Sequence, residues 1–404
     1  MPSGTGPDPH SGDASSSQPA LQFDFDRISR LVARSLALTP PALAAAFRSA
    51  AAHDLEAIVE FRRTVLGAEV VWDDRRYLIW RYGLEGGRGC FARLFVLEVA
   101  GRVIACIGAE EFALSCARGR LAGACAIDIA VRPEHRLAGL GPWLTLALMR
   151  RYAVTLALSA NEQSLGLVTK LYAPLPARTA YQIPIDLGAF LSRRLRGAVL
   201  TRAIAAPLGR LLALLLGGIV HARNRALIRR SRRVGLELRP VARFRREWDA
   251  LLLASPRADV THIERSAAYL NWRYLDNPRV AYRLIAAFRG EELAAYAVYR
   301  GSGAPSPGHG LDIADWWCAQ SDPGALRALI ALIVAEAMQG GYDVVGAAAL
   351  GAAADATLRH AGFLARNQPG AVAGFACSDP GLAPAIANAG AWYLTGLGDD
   401  LDGL

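Results

Sequence analysis

Apolar positions along this chain fall into short runs, and the same succession of runs occurs twice. Leu94 to Gly108 (LFVLEVAGRVIACIG) and Leu284 to Val298 (LIAAFRGEELAAYAV) each read as two strands joined by a tight turn. The turns are Ala100-Gly101-Arg102 and Arg289-Gly290-Glu291, where glycine supplies the positive φ that a hairpin needs. Upstream of each pair lies a helical pattern, Asp54 to Val65 in one half and Arg245 to Ala254 in the other. Downstream in the first half, the spacing predicts a strand at Ala124 to Val131, a helix at Pro142 to Tyr152 and a strand at Val154 to Ser159. A helix at Asn161 to Tyr172 and an extended segment at Tyr181 to Ile185 follow. The second half predicts extended Leu311 to Cys318, helical Ala325 to Gln339, extended Val344 to Ala348, helical Ala353 to His360, and extended chain again from Phe375. Each half is therefore expected to be an α/β unit, a mixed sheet flanked by helices.

The halves also share a motif. Tyr77-Leu78-Ile79-Trp80-Arg81-Tyr82 returns as Tyr269-Leu270-Asn271-Trp272-Arg273-Tyr274, roughly 190 residues on, a period that means domain duplication rather than a solenoid. The expected organisation is a disordered tail at 1–22, a first domain at 23–190, a connector at 191–235 and a second domain at 236–404. The tail is rich in Pro, Gly, Ser and Asp and has almost nothing to bury. The connector is apolar from Ala198 to Val220 except for Thr201, Arg202 and Arg210, and arginines crowd both of its flanks. Its uninterrupted run, Leu211 to Val220, is too short to span a bilayer. It reads as a helix packed between the domains, or as one lying on an anionic membrane with its arginines at the headgroups, and the first reading is preferred.

Composition narrows the function classes. The net charge is +9, but nearly all the basic residues are arginine and Lys170 is the single lysine, which together with abundant Ala and Gly reflects coding bias more than phosphate binding. Nucleic acid is not expected as a partner. The six cysteines show no C-x-x-C pair, so no metal site is expected. A reduced cytoplasmic setting, at most peripheral to the inner face of a membrane, fits a chain that opens without a secretory signal.

The chemistry centres on the segment after the Ala124–Val131 strand: Arg132-Pro133-Glu134-His135-Arg136-Leu137-Ala138-Gly139-Leu140-Gly141, leading into a helix at Pro142. Glycines at 139 and 141 let successive backbone N–H groups converge at a helix N-terminus, which suits a pyrophosphate. In this context V-x-P-x-x-R-x-x-G-x-G resembles the acyl-CoA loop of the GNAT superfamily of N-acyltransferases. Ala51 to Ile58 is similar to that family's opening helix, Asn161 to its asparagine after the next strand, and Leu358-Arg359-His360-Ala361-Gly362-Phe363 to its terminal helix-to-strand turn. The W-R-Y block with Leu275-Asp276-Asn277-Pro278 resembles tandem members from bacterial envelope and polysaccharide gene clusters.

The resemblance implies transfer of an acyl group from acetyl-CoA or another acyl-CoA to a small-molecule amine or amino sugar. It implies a cofactor cradle of Ile129, Val131, Arg136, Leu137, Ala138, Gly139, Leu140, Gly141 and Asn161, with strand amides near Ile129 to Val131 polarising the thioester carbonyl. Asp128 is the candidate base, the alternative for it being an ion pair with a nearby arginine; Glu110 and Glu111 stand behind it. Where the family places its tyrosine acid this chain has Val168, and Tyr172, four residues on, is the substitute.

The second half departs further. Its equivalent loop, Ser321-Asp322-Pro323-Gly324-Ala325, has one glycine and an aspartate that would repel pyrophosphate. It is expected to lack the cofactor site; Asp312, Asp315 and Trp316-Trp317 are candidates for an acceptor cleft, or else core. Two rival readings remain: a non-catalytic acyl-CoA or envelope-partner binder, and a transferase of the same fold using aminoacyl-tRNA.

Overall fold

The computed structural model describes residues 23–67, 75–85, 90–176, 178–185, 222–253, 260–301, 310–319, 322–366 and 373–396. Residues 191–221, most of the expected connector, lie outside the described residues, as do the last five of the expected first domain and the expected tail at 1–22.

The first sheet is built from β1 (Phe47–Ser49), β2 (Ala92–Val99), β3 (Arg102–Cys116), β4 (Gly119–Val131), β5 (Val154–Ala157) and β6 (Ala173–Leu175). The chain then passes through β7 (Thr179–Pro184), β8 (Leu236–Val241), β9 (His262–Ile263), β10 (Arg283–Arg289), β11 (Glu292–Gly301) and β12 (Gly310–Cys318). It ends with β13 (Val344–Ala349), β14 (Leu364–Arg366) and β15 (Ala373–Cys377). Two mixed sheets result, in the orders β1-β2-β3-β4-β5-β15-β6, with β9 added on β3, and β14-β7-β13-β12-β11-β10-β8. Both sheets are flanked by helices, as the hydrophobic patterning predicts.

One feature departs from that reading. The extended segment of the first half, β7, pairs with β13 and β14 in the second sheet. In return β15, from the end of the second half, inserts between β5 and β6 of the first sheet. The halves exchange a strand. Patterning cannot reveal this, because a strand buried on both faces reads the same whichever sheet receives it.

The local reasons for the elements are conventional. At the first hairpin Ala100 and Gly101 take φ of 50° and 73°, the positive pair that matches the twist of the flanking strands. Helix α1 (Phe25–Ser35) starts at Asp24, whose side chain accepts from the Arg27 N–H, and α2 (Pro40–Ala46) starts at Thr39 in the same way. Neither helix is predicted by the reading above. Helix α3 (Leu55–Leu66) buries Leu55, Ile58, Val59 and Phe61 on one face, and α4 (Arg75–Tyr82) carries the first W-R-Y block. Helix α5 (Leu140–Met149) begins two residues before the expected Pro142; proline in the first turn removes an N–H that would have no intrahelical partner. Helix α6 (Glu162–Leu171) is capped by Asn161.

The W-R-Y copies dock on one another. The Trp80 indole donates to the Trp272 carbonyl at 2.8 Å, the Trp272 indole donates back to the Trp80 carbonyl at 3.1 Å, and the rings stack with centroids 5.4 Å apart. Beside them Glu110 pairs with Arg81 (3.0 Å) and Arg273 (3.4 Å) and accepts from the Tyr269 hydroxyl at 2.7 Å. All these charged groups are buried, and Glu110 offsets part of the cost of burying both guanidiniums. Glu110 therefore joins the halves, and its candidacy as a base ends there.

Among the described residues no helix is long and apolar enough to cross a membrane.

Candidate functional site

Strands β4 and β5 run parallel and pair from Gly123↔Val154 to Cys125↔Leu156. Beyond Cys125 the pairing stops while β4 continues to Val131, held on its other side by β3. The register slips between Cys106 and Gly108, so β4 carries an extra residue there, a bulge at the point where it parts from β5. The opened edge forms one wall of a cleft of about 820 Å³. The N-terminal ends of α5 and α6 face the same cleft, through Gly141 and Pro142 from one and Asn161 and Ser164 from the other. Two helix N-termini aimed at one space make it electropositive without any cation.

The glycine loop has the conformation expected of an anion cradle. Gly139 is left-handed, with φ of 75°, and caps α5. Gly141 borders the cleft, and a Cβ added to it would meet nothing within 4 Å, so its backbone is open to a ligand. Arg136 lines the same wall and reaches back to the Val131 carbonyl at 3.5 Å. Glu134, the carboxylate in the loop, faces Arg102 at 3.7 Å. A pyrophosphate-bearing ligand fits these donors.

Of the expected cofactor residues, Ile129, Val131, Arg136, Gly141 and Asn161 line the cleft. The others are corrected in kind. Leu137 is fully solvent-exposed, Leu140 is buried in the core, and Ala138 packs beside the core cluster of α1 and α5. These three, with Gly139, are not among the residues lining the cleft. The Asn161 side chain is engaged in a capping box with Ser164, accepting from its N–H at 2.9 Å.

The candidate acid–base residues separate sharply. Glu111 is not in the cleft: it accepts from the Tyr152 hydroxyl at 2.7 Å and pairs with Arg93 at 2.9 Å. Asp128 does line the cleft, but it is paired with Arg62 of α3 at 3.3 Å and accepts a short hydrogen bond from the Tyr82 hydroxyl. Burial alone would push its carboxyl up; the Arg62 guanidinium and the Tyr82 hydroxyl outweigh that and hold it below the ordinary carboxylate value. Tyr172 also lines the cleft and is 3% exposed. Its hydroxyl has no hydrogen-bond partner among the described residues, and burial raises its pKa, so it stays a neutral phenol. Val168 lies one turn before it, on the same wall.

Arg62, Tyr82 and Arg132 escape the sequence reading. Arg132, the unspecified residue between Val131 and Pro133 of the loop motif, is buried; it donates to the Val103 carbonyl at 2.8 Å and pairs with Glu60 at 2.6 Å. Nothing in a single sequence marks these partners, because the contacts join residues dozens of positions apart.

The second sheet has the corresponding opening, and the chain itself fills it. Strands β12 and β13 pair as far as Ile313↔Ala347. Near their far ends Leu350 bridges to Leu394, the Tyr393 hydroxyl donates to the Trp316 carbonyl at 2.9 Å, and the Thr395 hydroxyl donates to Asp315 at 2.5 Å. Asp315 also pairs with Arg265 at 3.0 Å and accepts from Tyr296, all buried, while Trp316 and Trp317 are core. These three are packed inside and do not line an acceptor cleft. At the second loop, Asp322 accepts from the Ala325 N–H and pairs with Arg289 at 2.6 Å. A carboxylate of the protein stands where an anion would bind. Asp312, largely buried, has its pKa raised by that burial.

Among the described residues no cluster of His, Cys, Asp and Glu is arranged to hold a metal. This combination of splayed parallel strands, a glycine loop and two helix N-termini belongs to the GNAT fold, and comparison with solved structures agrees. A probable N-acyltransferase from Enterococcus faecalis V583 superposes with a TM-score of 0.52 at 11% identity, over 82% of this chain and 72% of that one. A GCN5-related N-acetyltransferase from Anabaena variabilis superposes with a TM-score of 0.52 at 12% identity, over 82% and 73%. At such identities the likeness is one of fold. No protein-family model matches the sequence, and no curated protein is similar enough to count as a relative.

Proposed function

We propose that the protein is a duplicated N-acyltransferase that moves an acyl group from acetyl-CoA or another acyl-CoA to the amine of a small molecule or amino sugar, using the first-half cleft. One observation carries the reading: an anion cradle and a buried phenol with no hydrogen-bond partner among the described residues border the same opened strand edge. The N–H groups at Gly139 to Gly141 hold the pyrophosphate, with Arg136 beside it, and the thioester lies along β4. The amine nitrogen attacks the thioester carbon, the C–N bond forms and the C–S bond breaks. Strand amides near Ile129 to Val131 stabilise the oxyanion in between. Tyr172 gives its hydroxyl proton to the departing thiolate and recovers one from solvent. Calorimetry with CoA tests the assignment: the wild-type chain is expected to bind it and a folded Gly141→Glu variant to fail, and equal affinity in both overturns it.

A membrane contact is a second element of this proposal. Residues 222–233 are helical and contain no acidic residue. Arg225, Arg229, Arg230, Arg232 and Arg233 are exposed and pair with no carboxylate among the described residues. Such a face suits anionic headgroups. Co-sedimentation with anionic but not neutral vesicles, reversed by salt, is expected; indifference to lipid charge sinks it.

A further inference from the structure

We infer that Asp128 is a positioning residue that clamps the opened edge of β4, and that the attacking amine enters the cleft already uncharged, as a weakly basic amine would. The inference rests on the acyltransferase reading above.

Asp128 is a non-glycine residue in left-handed conformation, with φ of 50°, within the bulge that parts β4 from β5. Such a residue persists where its surroundings over-determine it, and aspartate is among the few side chains that tolerate the region. The surroundings here come from three elements. Arg62 on α3 reaches Oδ2 at 3.3 Å and Oδ1 at 3.4 Å. Tyr82 on α4 donates to Oδ2, and the Cys106 thiol on β3 donates to the Asp128 carbonyl at 3.4 Å. Space for this arrangement is reserved in the sequence: a Cβ at Gly108 would lie 2.5 Å from the Tyr82 hydroxyl oxygen. Main chain and side chain are thus both tied down at the residue where the wall of the cleft is shaped.

The same ties remove Asp128 as a base. Both carboxylate oxygens are engaged, the side chain is 4% exposed, and Arg62, Tyr82 and Arg81 favour the carboxylate over its protonated form, which makes it a poor proton acceptor. The other titratable side chains lining the cleft, among the described residues, are Arg62, Arg136 and Tyr172, none of them a free carboxylate or imidazole. An alkylammonium, titrating near ~10.4, would arrive charged beside Arg62, where no carboxylate or imidazole among the described lining residues is free to deprotonate it. An amine whose conjugate acid titrates near neutrality arrives with its lone pair free. After attack the N–H proton leaves to solvent, and the thiolate is protonated by Tyr172.

Hydrogen exchange on the full chain tests the clamp without needing the true acceptor. Asp128→Asn and Tyr82→Phe, both conservative, are expected to speed exchange of the amides in residues 126–131 by about tenfold or more, leaving β10 and β11 unchanged. In assays with acetyl-CoA and glucosamine, both variants are expected to lower kcat to similar degrees at nearly unchanged amine KM. The double variant should cost about as much as either single one. Log kcat/KM should rise with pH along the amine's own titration in all of them. Unchanged exchange at 126–131 in both variants overturns the clamp. Loss of the pH limb in Asp128→Asn alone restores Asp128 as the base. If wild type binds no CoA, the acyltransferase reading fails, and the exchange result still decides the clamp.

Discussion

At the scale of single residues, the cleft distinguishes groups that must be small from groups that must be polar. Gly141 has open space around its missing side chain, so Gly141→Glu is expected to fold normally and to place a carboxylate in the anion cradle. CoA affinity measured by calorimetry should fall at least a hundredfold, while the thermal midpoint moves little. Gly139→Asp should act likewise with a small added cost, about 1 kcal/mol, for a left-handed side chain. Tyr172→Phe separates chemistry from binding: CoA affinity is expected to hold while kcat falls ~10- to 100-fold. Because burial raises the Tyr172 pKa, the donor form persists as pH rises, and no loss of activity from its ionisation is expected up to its ordinary value of 10.0. A pH–rate profile in wild type checks this. At this scale loop geometry and helical spacing, both local, are enough to place Gly141 and Tyr172 at the cleft, whatever their roles. The sequence was silent about Arg62 and Tyr82, whose value to Asp128 arises from contacts spanning 66 and 46 positions.

At the scale of elements, hydrophobic period and turn chemistry located the hairpins, the α3 and α6 helices and the β4–loop–α5 unit close to where they lie. They missed α1 and α2, whose short amphipathic pattern adjoins a segment with nothing to bury. The W-R-Y repeat was legible as a repeat, but its purpose was not. The two arginines meet at one carboxylate, Glu110, which pairs with both. Burial would raise the Glu110 pKa, and Arg273 and Arg81 more than reverse that, leaving it below 4.5. The stabilisation linked to that depressed value is therefore present above pH 4.5 and lost as pH falls through the folded-state value. Glu110→Gln leaves two buried guanidiniums undercompensated and is expected to cost about 3–5 kcal/mol, read from urea unfolding at pH 7. That deficit should shrink as the comparison is repeated toward pH 4. A deficit that stays constant with pH would mean that packing of the side chain, and not its charge, holds the halves together.

At the scale of the whole molecule, the two sheets differ in their clefts and exchange a strand. One cleft is open; in the other the segment Trp392 to Thr395 bridges back to Leu350 and bonds to Trp316 and Asp315, and Asp322 occupies its own helix N-terminus. One CoA per chain is therefore expected by calorimetry, with affinity unaffected by Asp322→Ser; two per chain would mean that the second opening yields to ligand. The exchange of β7 and β15 bears on folding itself. In a fragment ending at residue 190, β5 loses the neighbour that covers its edge and β6 loses its pairing partner, since β15 bonds to both. Phe375, Ala376 and Cys377, at most 4% exposed in the intact chain, would also be missing from that core. An uncovered edge strand beside an incomplete core favours aggregation over folding. The complementary fragment, 191–404, loses β7 from between β13 and β14 and is left with the same defect in its own sheet. Each fragment expressed alone is thus expected to be insoluble or unfolded by circular dichroism, and the two expressed together are expected to form a soluble 1:1 complex that binds CoA. A monomeric 1–190 fragment that unfolds cooperatively would show that the first sheet closes without its borrowed strand, and that the exchange is an accident of connection with no part in stability.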